Sequence, residues 1–424
     1  MPVPTSVAIA NLGNLEMKKV LLGTTALLGV GTLAGGAMAS DGIKLDVGGF
    51  FRTAYQVNID DNSASNSDGS GPDLGHDRAN DGVFSDAEVH FKGEVTLDNG
   101  LTAGARIELE GENSGDQIDE AYIYFSGGFG EVRVGSDDDA MQSMCITPPG
   151  STTNFGATSP NEWAANTGGL VSAVTNGTLS TNSVCTGVDG GNSDSGVGTT
   201  DAQKIVYFTP NFSGFQLGVS YTPNDGIERQ SQGGGPHWGM PAETDQRARH
   251  NVSAYATYSY EGDGWGLTWG GGGGWEGHVE DGDDASGHRK ASDYYQTGLN
   301  LSFGSFKIGG AFEYYNDIIP QINTSGDTET SNAWVAAGGV SYNVDAWTVG
   351  LGYSHGHFGL IDVDDSNSHV TQDRIVLTGN YDMGPGIALD AEIGYTWTGT
   401  NLQNEDAVDN YDSLELGIGT AFTF

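Results

Sequence analysis

Apolar and polar side chains alternate along most of the chain from residue 43 onward. In the first such segment the apolar positions are Ile43, Leu45, Val47, Phe51, Tyr55, Val57 and Ile59, opposed by Lys44, Asp46, Arg52, Gln56 and Asn58. A period of two places the two sets on opposite faces of a β-strand. The alternation recurs over 86–97, 101–110 and 387–398. These segments run for about 9 to 13 residues, as a tilted membrane-crossing strand does, whereas globular strands average about 5 or 6.

Aromatic residues mark the ends of the apolar faces. Trp265 and Trp275 share one face ten residues apart. At about 3.3 Å per residue and a tilt near 40°, this spacing covers roughly 25 Å, the height of the apolar band of a membrane barrel. The alternative is a soluble β-sandwich with ordinary core aromatics, although sandwiches seldom sustain strands of this length.

Turn signals divide the chain into sixteen strands. Seven tight turns are expected at 98–100, 127–130, 210–214, 261–264, 304–305, 343–346 and 382–386. Eight longer polar segments are expected at 60–82, 113–117, 136–202, 222–246, 276–290, 316–332, 356–369 and 399–409. Alternating them predicts an all-β fold, a 16-stranded antiparallel transmembrane β-barrel. The weakest strand signals lie around Val132 and Ile205.

The N-terminal residues have the pattern of an export signal. Lys18 and Lys19 precede an apolar run over 20–33, and Ala37-Met38-Ala39 forms a small-x-small cleavage pattern. This predicts a signal peptide over 17–39, with residues 1–16 upstream of the true start and a mature barrel over 40–424. No second apolar run is long enough to span as a helix,.

Composition excludes two further classes of protein. The chain carries 68 glycines, which would weaken helices, and its 16 basic against 56 acidic residues give a net charge of -40,. That charge would repel a phosphate backbone, so no nucleic-acid partner is expected. A hydrophobic content of 37% suits a wall in which only every second strand residue faces lipid,.

Several short segments resemble known outer-membrane proteins. The last strand places Phe422 and Phe424 on its apolar face, which resembles the terminal signal that the barrel-assembly machinery reads. Residues 131–135 running into a long loop, the 207–221 hairpin and the opening 47–51 resemble strands of the Gram-negative general porin family. The resemblance implies a homotrimer in the outer membrane, in contact with lipid and lipopolysaccharide. It also implies that the third external loop of each subunit narrows a water-filled pore.

The long segment 136–202 is the expected constriction loop, because loops beyond about 15 residues are usually functional. Asp137, Asp138 and Asp139 lie at its start. Four basic residues have the parity that faces the lumen, namely Arg52, Lys92, Arg106 and Arg133, of which the last two are the best candidates. An acidic loop facing a basic wall would create a transverse field, as in the resembled family. The alternative is that these are ordinary solvated lumen charges.

Cys145 and Cys185 both fall within this loop. Two cysteines in an exported chain favour a disulfide over free thiols. Most members of the resembled family lack such a bridge, which we expect to stiffen the loop.

Other patterns are weaker. Residues 352–356 match G-x-S-x-G, but no helix follows the strand, so no enzyme is predicted,. His355 and His357 share a face without a nearby third ligand, which leaves any metal site undetermined. Two acidic clusters suggest loosely bound Ca²⁺ bridging to lipopolysaccharide, with no other cofactor expected. They comprise Asp281, Asp283 and Asp284, and Asp362, Asp364 and Asp365.

The glycine run 270–274 has two interpretations. Its inward members would make room for a folded loop, or Gly271 and Gly273 would let another subunit approach. Together these patterns predict a porin for passive diffusion of small hydrophilic solutes with a weak cation preference. The alternatives are a substrate-specific channel and an acidic secreted β-sandwich adhesin.

Overall fold

The computed structural model of the chain describes residues 42–60, 81–111, 118–150, 184–185, 202–224, 249–277, 291–322, 328–359, 369–401 and 411–424. The expected signal peptide, both acidic clusters and most of the long loop lie outside these residues. No helix in the described ranges is long and apolar enough to cross a membrane.

Sixteen antiparallel strands form one closed barrel. They are β1 Lys44–Asp60, β2 Asp81–Thr96, β3 Thr102–Glu110, β4 Ala121–Gly127, β5 Gly130–Ser136, β6 Gln203–Phe208, β7 Phe215–Asn224, β8 Arg249–Gly262, β9 Trp265–Glu276, β10 Ser292–Phe303, β11 Phe306–Ile322, β12 Thr328–Val344, β13 Trp347–Gly359, β14 His369–Gly384, β15 Ile387–Asn401 and β16 Tyr411–Thr423. Each strand pairs with its sequence neighbours, and β1 also pairs with β16, from Phe50 opposite Thr423 to Asp60 opposite Ser413. The predicted barrel is confirmed, and the sandwich alternative is wrong.

The two faces of the wall follow the alternation in sequence. Phe51 and Tyr55 are exposed on the outer face, and Gln56 is buried on the inner face. Trp265 and Trp275 are both exposed on the outer face, as the aromatic spacing predicts. Apolar side chains exposed all around the outside of a barrel are suited to lipid rather than water.

The short connections agree with the predicted turns, but several strands are longer than expected. The predicted loops 316–332 and 356–369 are partly wrong, because β11 continues to Ile322, β12 begins at Thr328 and β13 continues to Gly359. The period of two is interrupted at these strand ends, as over 316–322, where the pairing register shifts between Tyr315 and Ile319. Backbone pairing does not depend on that period.

The shortest strands are β4, β5 and β6, with 7, 7 and 6 residues. They include Val132 and Ile205, where the sequence signal is weakest. At the end of β5 the chain leaves the wall, so these strands lead directly to the segment inside the barrel.

Candidate functional site

The segment 137–150 lies against the inner wall of the barrel. It begins with a short helix, α1, over Ala140–Met144. Asp139 caps this helix by accepting a hydrogen bond from the Gln142 backbone N–H at 2.9 Å, and the Tyr294 hydroxyl donates to the same carboxylate at 2.9 Å,. Met141 packs with buried Tyr255 in a small core between the segment and the wall. Asp139 is therefore an anchor of the segment.

Inward polar side chains of the wall satisfy the backbone of this segment. The contacts are Ala140 N to Ser220 Oγ (3.3 Å), Ile146 N to Tyr255 Oη (3.3 Å), Gln296 Nε2 to Ile146 O (3.0 Å), Asn300 Nδ2 to Thr147 O (2.8 Å) and Thr378 Oγ1 to Gly150 O (2.8 Å). These partners belong to β7, β8, β10 and β14, so the segment crosses much of the inner circumference. Buried backbone groups require such partners.

Glycines on the inner face leave room for this segment. A Cβ at Gly270 would lie 2.6 Å from the Ile146 side chain, and one at Gly298 would lie 2.4 Å from Ile146 O. On β12, a Cβ at Gly339 would lie only 1.7 Å from Pro149 O. Of the two interpretations of the glycine run, the structure therefore supports space for the loop at its inward position Gly270.

The structure brings Cys145 and Cys185 together in a disulfide, with their Cα atoms 5.7 Å apart. The Cys185 backbone N–H donates to Glu313 Oε2 on β11 at 2.8 Å. The disulfide thus links the start of the long loop to a returning part that is itself held by the wall. Such a link would limit movement of the loop away from the wall.

The four predicted wall cations face inward, and each contacts a nearby carboxylate. The pairs are Arg52 with Asp86 (Nη2–Oδ2, 2.5 Å), Lys92 with Glu94 (3.0 Å), Arg106 with Glu108, and Arg133 with Glu131 (2.7 Å). The last three partners lie two positions away on the same strand. These pairs neutralise charge locally along the wall, and a transverse field across the lumen stays a prediction.

The three predicted loop acids differ in their surroundings. Asp137 is buried at the base of the loop, with Arg133 Nη1 3.3 Å from its Oδ1. Burial raises the pKa of Asp137, while Arg133 and Lys204 oppose that shift. Burial also raises the pKa of Asp138 to about 8, with a smaller contribution from the Glu120 carboxylate. The acids nearest the wall are therefore not a row of free negative charges.

The G-x-S-x-G motif has no catalytic geometry. Ser354 is buried on the inner face of β13. Its neighbour His355 points to the outer face, where its Nδ1 lies 2.7 Å from Asp373 Oδ1. Adjacent strand residues project to opposite faces, so this histidine cannot activate the serine.

Comparison with known proteins identifies the family. The model of the Gram-negative porin family matches residues 23–401, which is most of the chain. The chain belongs to the Gram-negative porin family. This porin is accordingly located in the outer membrane.

The porin is similar to a curated monosaccharide porin from Halomonas sp., with 26% identity over 225 residues. That match covers 51% of this chain and 52% of the relative, so the porin spans about half the length of the curated relatives it matches. Among solved structures, the trimer form of OmpT from Vibrio cholerae has a TM-score of 0.55 at 14% identity, covering 91% of this chain and all of that one. The anion-selective porin from Comamonas acidovorans has a TM-score of 0.51 at 17% identity, and the match covers 90% of this chain and 100% of that one. At these identities the two structures support the fold alone.

Sequence reasoning missed a buried charge cluster in this porin. Arg374 on β14 is fully buried, and its Nη2 contacts Glu392 Oε1 at 2.5 Å and Glu415 Oε2 at 2.7 Å. All three residues have inward parity on consecutive strands. Alternation in the sequence predicts that these three side chains face inward. Their close approach depends on the register between strands, which alternation does not specify.

Proposed function

We propose that this porin forms a water-filled channel for passive diffusion of small hydrophilic solutes. The observation that carries the proposal is the segment 137–150, which is held by side chains of several strands inside a sixteen-stranded barrel. Barrels of this strand number enclose an aqueous interior, and a segment within it narrows the passage. A channel also accounts for an inner face rich in polar groups.

Liposome swelling tests this proposal. Proteoliposomes containing the purified, folded protein should swell in isotonic solutions of small sugars and amino acids, and the rates should fall with increasing solute size. Swelling no faster than in protein-free liposomes would contradict it.

We infer a weak preference for cations from the net charge of -40. The reversal potential across a planar bilayer in a KCl gradient measures this preference. A potential displaced slightly from zero toward the K⁺ equilibrium value supports it, and one displaced toward the Cl⁻ equilibrium value contradicts it. Because the four wall cations are paired with acids, a modest preference is expected.

Selective passage of monosaccharides is a second candidate, supported by the name of the Halomonas relative. It predicts saturable uptake of a hexose and inhibition of ion current by that sugar. Uptake that rises linearly with concentration, at the rate expected for size alone, would favour the general channel.

We propose that the porin assembles as a homotrimer, as the trimer form of its Vibrio cholerae structural neighbour suggests. Native mass spectrometry in detergent should give three copies. We also propose that Phe422 and Phe424 act in assembly by the barrel machinery. Both rings are exposed on the outside, and Phe424 exchanges backbone hydrogen bonds with Gly49 where the barrel closes.

A further inference from the structure

Three metal-ligating side chains converge on the inner wall, apart from the loop contacts described above. Glu88 and His90 lie two positions apart on β2 and share its inner face, and Glu108 lies on β3 directly opposite His90. One ligand atom of each lies within 4.8 Å of the ligand atoms of the other two. Strand register therefore supplies one imidazole and two carboxylates at a single place.

The distances match a shared metal better than a set of hydrogen bonds. His90 Nε2 is 3.3 Å from Glu88 Oε2 and 3.4 Å from Glu108 Oε2. Two ligand atoms about 2.1 Å from a tetrahedral zinc ion are about 3.4 Å apart. Charge-assisted hydrogen bonds between nitrogen and carboxylate oxygen are normally shorter, at about 2.7–2.9 Å.

Polar atoms at this place also lack partners. Glu88 is 8% exposed and Glu108 is 5% exposed. Within the described ranges, neither His90 Nε2 nor Glu88 Oε1 has a hydrogen-bond partner. Burying a carboxylate oxygen without a partner is unfavourable, and a cation bound at this place would supply one.

Arg106 is the nearest competing cation. It forms an ion pair with Glu108 Oε1, and its Nη2 lies 3.4 Å from His90 Nδ1. A metal on Nε2 requires the proton of the neutral imidazole to lie on Nδ1. Arg106 would then lose its long contact with the imidazole and keep its contact with Glu108.

We propose that Glu88, His90 and Glu108 bind a divalent transition-metal ion of the zinc type on the lumen wall. One imidazole and two carboxylates suit zinc, whereas calcium and magnesium prefer oxygen ligands throughout. His90 is partly exposed, which leaves a coordination position for water or a solute.

The site lies near the place where the chain leaves the wall at the end of β5. The Glu108 backbone N–H donates to Glu120 O at 2.9 Å, and the next residue, Ala121, pairs with Ser136, immediately before the chain enters the lumen. A bound cation would add positive charge there. The expected effect on ion current rests on the proposed channel function, whereas metal binding itself does not.

Calorimetric titration of the detergent-purified full chain with zinc tests the site directly. Because imidazole is a common zinc ligand and the chain has nine histidines, the decisive quantity is the difference in zinc binding between wild type and His90→Gln,. We expect the variant to lose one binding event or to bind at least about tenfold more weakly. Glu108→Gln should have the same effect, and Arg106→Gln should tighten binding by removing the competing cation.

The matched control is His250→Asn, which removes an exposed histidine elsewhere. His250 has φ 61°, a conformation that asparagine tolerates,. This variant should bind zinc at the Glu88–His90–Glu108 site as wild type does. Folding of every variant is verified by its heat-dependent gel mobility. Equal zinc binding by wild type, His90→Gln and Glu108→Gln would overturn the proposal.

Single-channel recording distinguishes zinc binding at this site from an effect of the bound zinc on ion current. Micromolar zinc should lower the wild-type current reversibly with chelator, and should not affect His90→Gln. Zinc binding that is lost in His90→Gln but never changes the current would uphold the site and overturn its influence on conduction.

Discussion

Pro149, in the segment 137–150, lies directly against Gly339 of β12. Adding one methyl group at Gly339 therefore tests where this segment lies. In Gly339→Ala the new Cβ would lie 1.7 Å from Pro149 O, against an ordinary contact of about 3.4 Å,. The segment must therefore move by about 1.7 Å. Because the wall blocks movement outward, the segment can move only toward the lumen. The adjacent hydrogen bond from Thr378 to Gly150 O, now 2.8 Å, would be lost at a cost of about 0.5–1.5 kcal/mol,.

We expect Gly339→Ala to lower both single-channel conductance and thermal stability in detergent. Gly379→Ala is the matched control, because it adds the same methyl group to a strand glycine whose Cβ would meet nothing within 4 Å. The control should behave as wild type. Equal conductance and equal melting temperature in the two variants would refute the placement of the segment against β12.

Three further predictions concern the loop and the wall. Because Cys145 and Cys185 form a disulfide, neither sulfur should react with an alkylating agent until the bond is reduced, and a mass shift without reductant would exclude the bond. Loss of the disulfide should lower the free energy of unfolding by roughly 3–4 kcal/mol. Arg374→Met removes the cation between two buried carboxylates, so we expect a loss of about 3–5 kcal/mol in chemical denaturation, partly restored in Arg374→Lys; an unchanged midpoint would contradict this. The pKa of Asp138 is raised to about 8 in the folded protein, so ionisation of the unfolded chain favours unfolding increasingly as pH rises from about 4 to 8,. Asp138→Asn should therefore raise the melting temperature more at pH 8 than at pH 5, and a larger gain at pH 5 would refute the shift.

The sequence predicts the wall of this porin well because each strand carries its own evidence. Alternation identifies the lipid-facing positions, such as Trp265 and Trp275, and turn residues mark the ends of strands. Strand ends were less predictable, as with Ile322 and Gly359, because the period of two is interrupted there.

The candidate sites depend on information that alternation lacks. Pairing of Arg52 with Asp86, or of His90 with Glu108, requires the register between neighbouring strands. Register is specified by many backbone and side-chain contacts together, and a shift of two residues would preserve every face while separating these pairs. The parity of the charged residues was therefore predictable, as were the acids two positions away on the same strand, whereas the pairs that cross between strands were not.

The central claim is that the barrel encloses a water-filled passage narrowed by an internal segment. Single-channel recording of the purified protein in planar bilayers, bathed in KCl solutions of increasing concentration up to about 1 M, tests it most directly. The account predicts discrete current steps whose size is proportional to voltage and to salt concentration. A folded protein that inserts into the bilayer without producing such steps would contradict it.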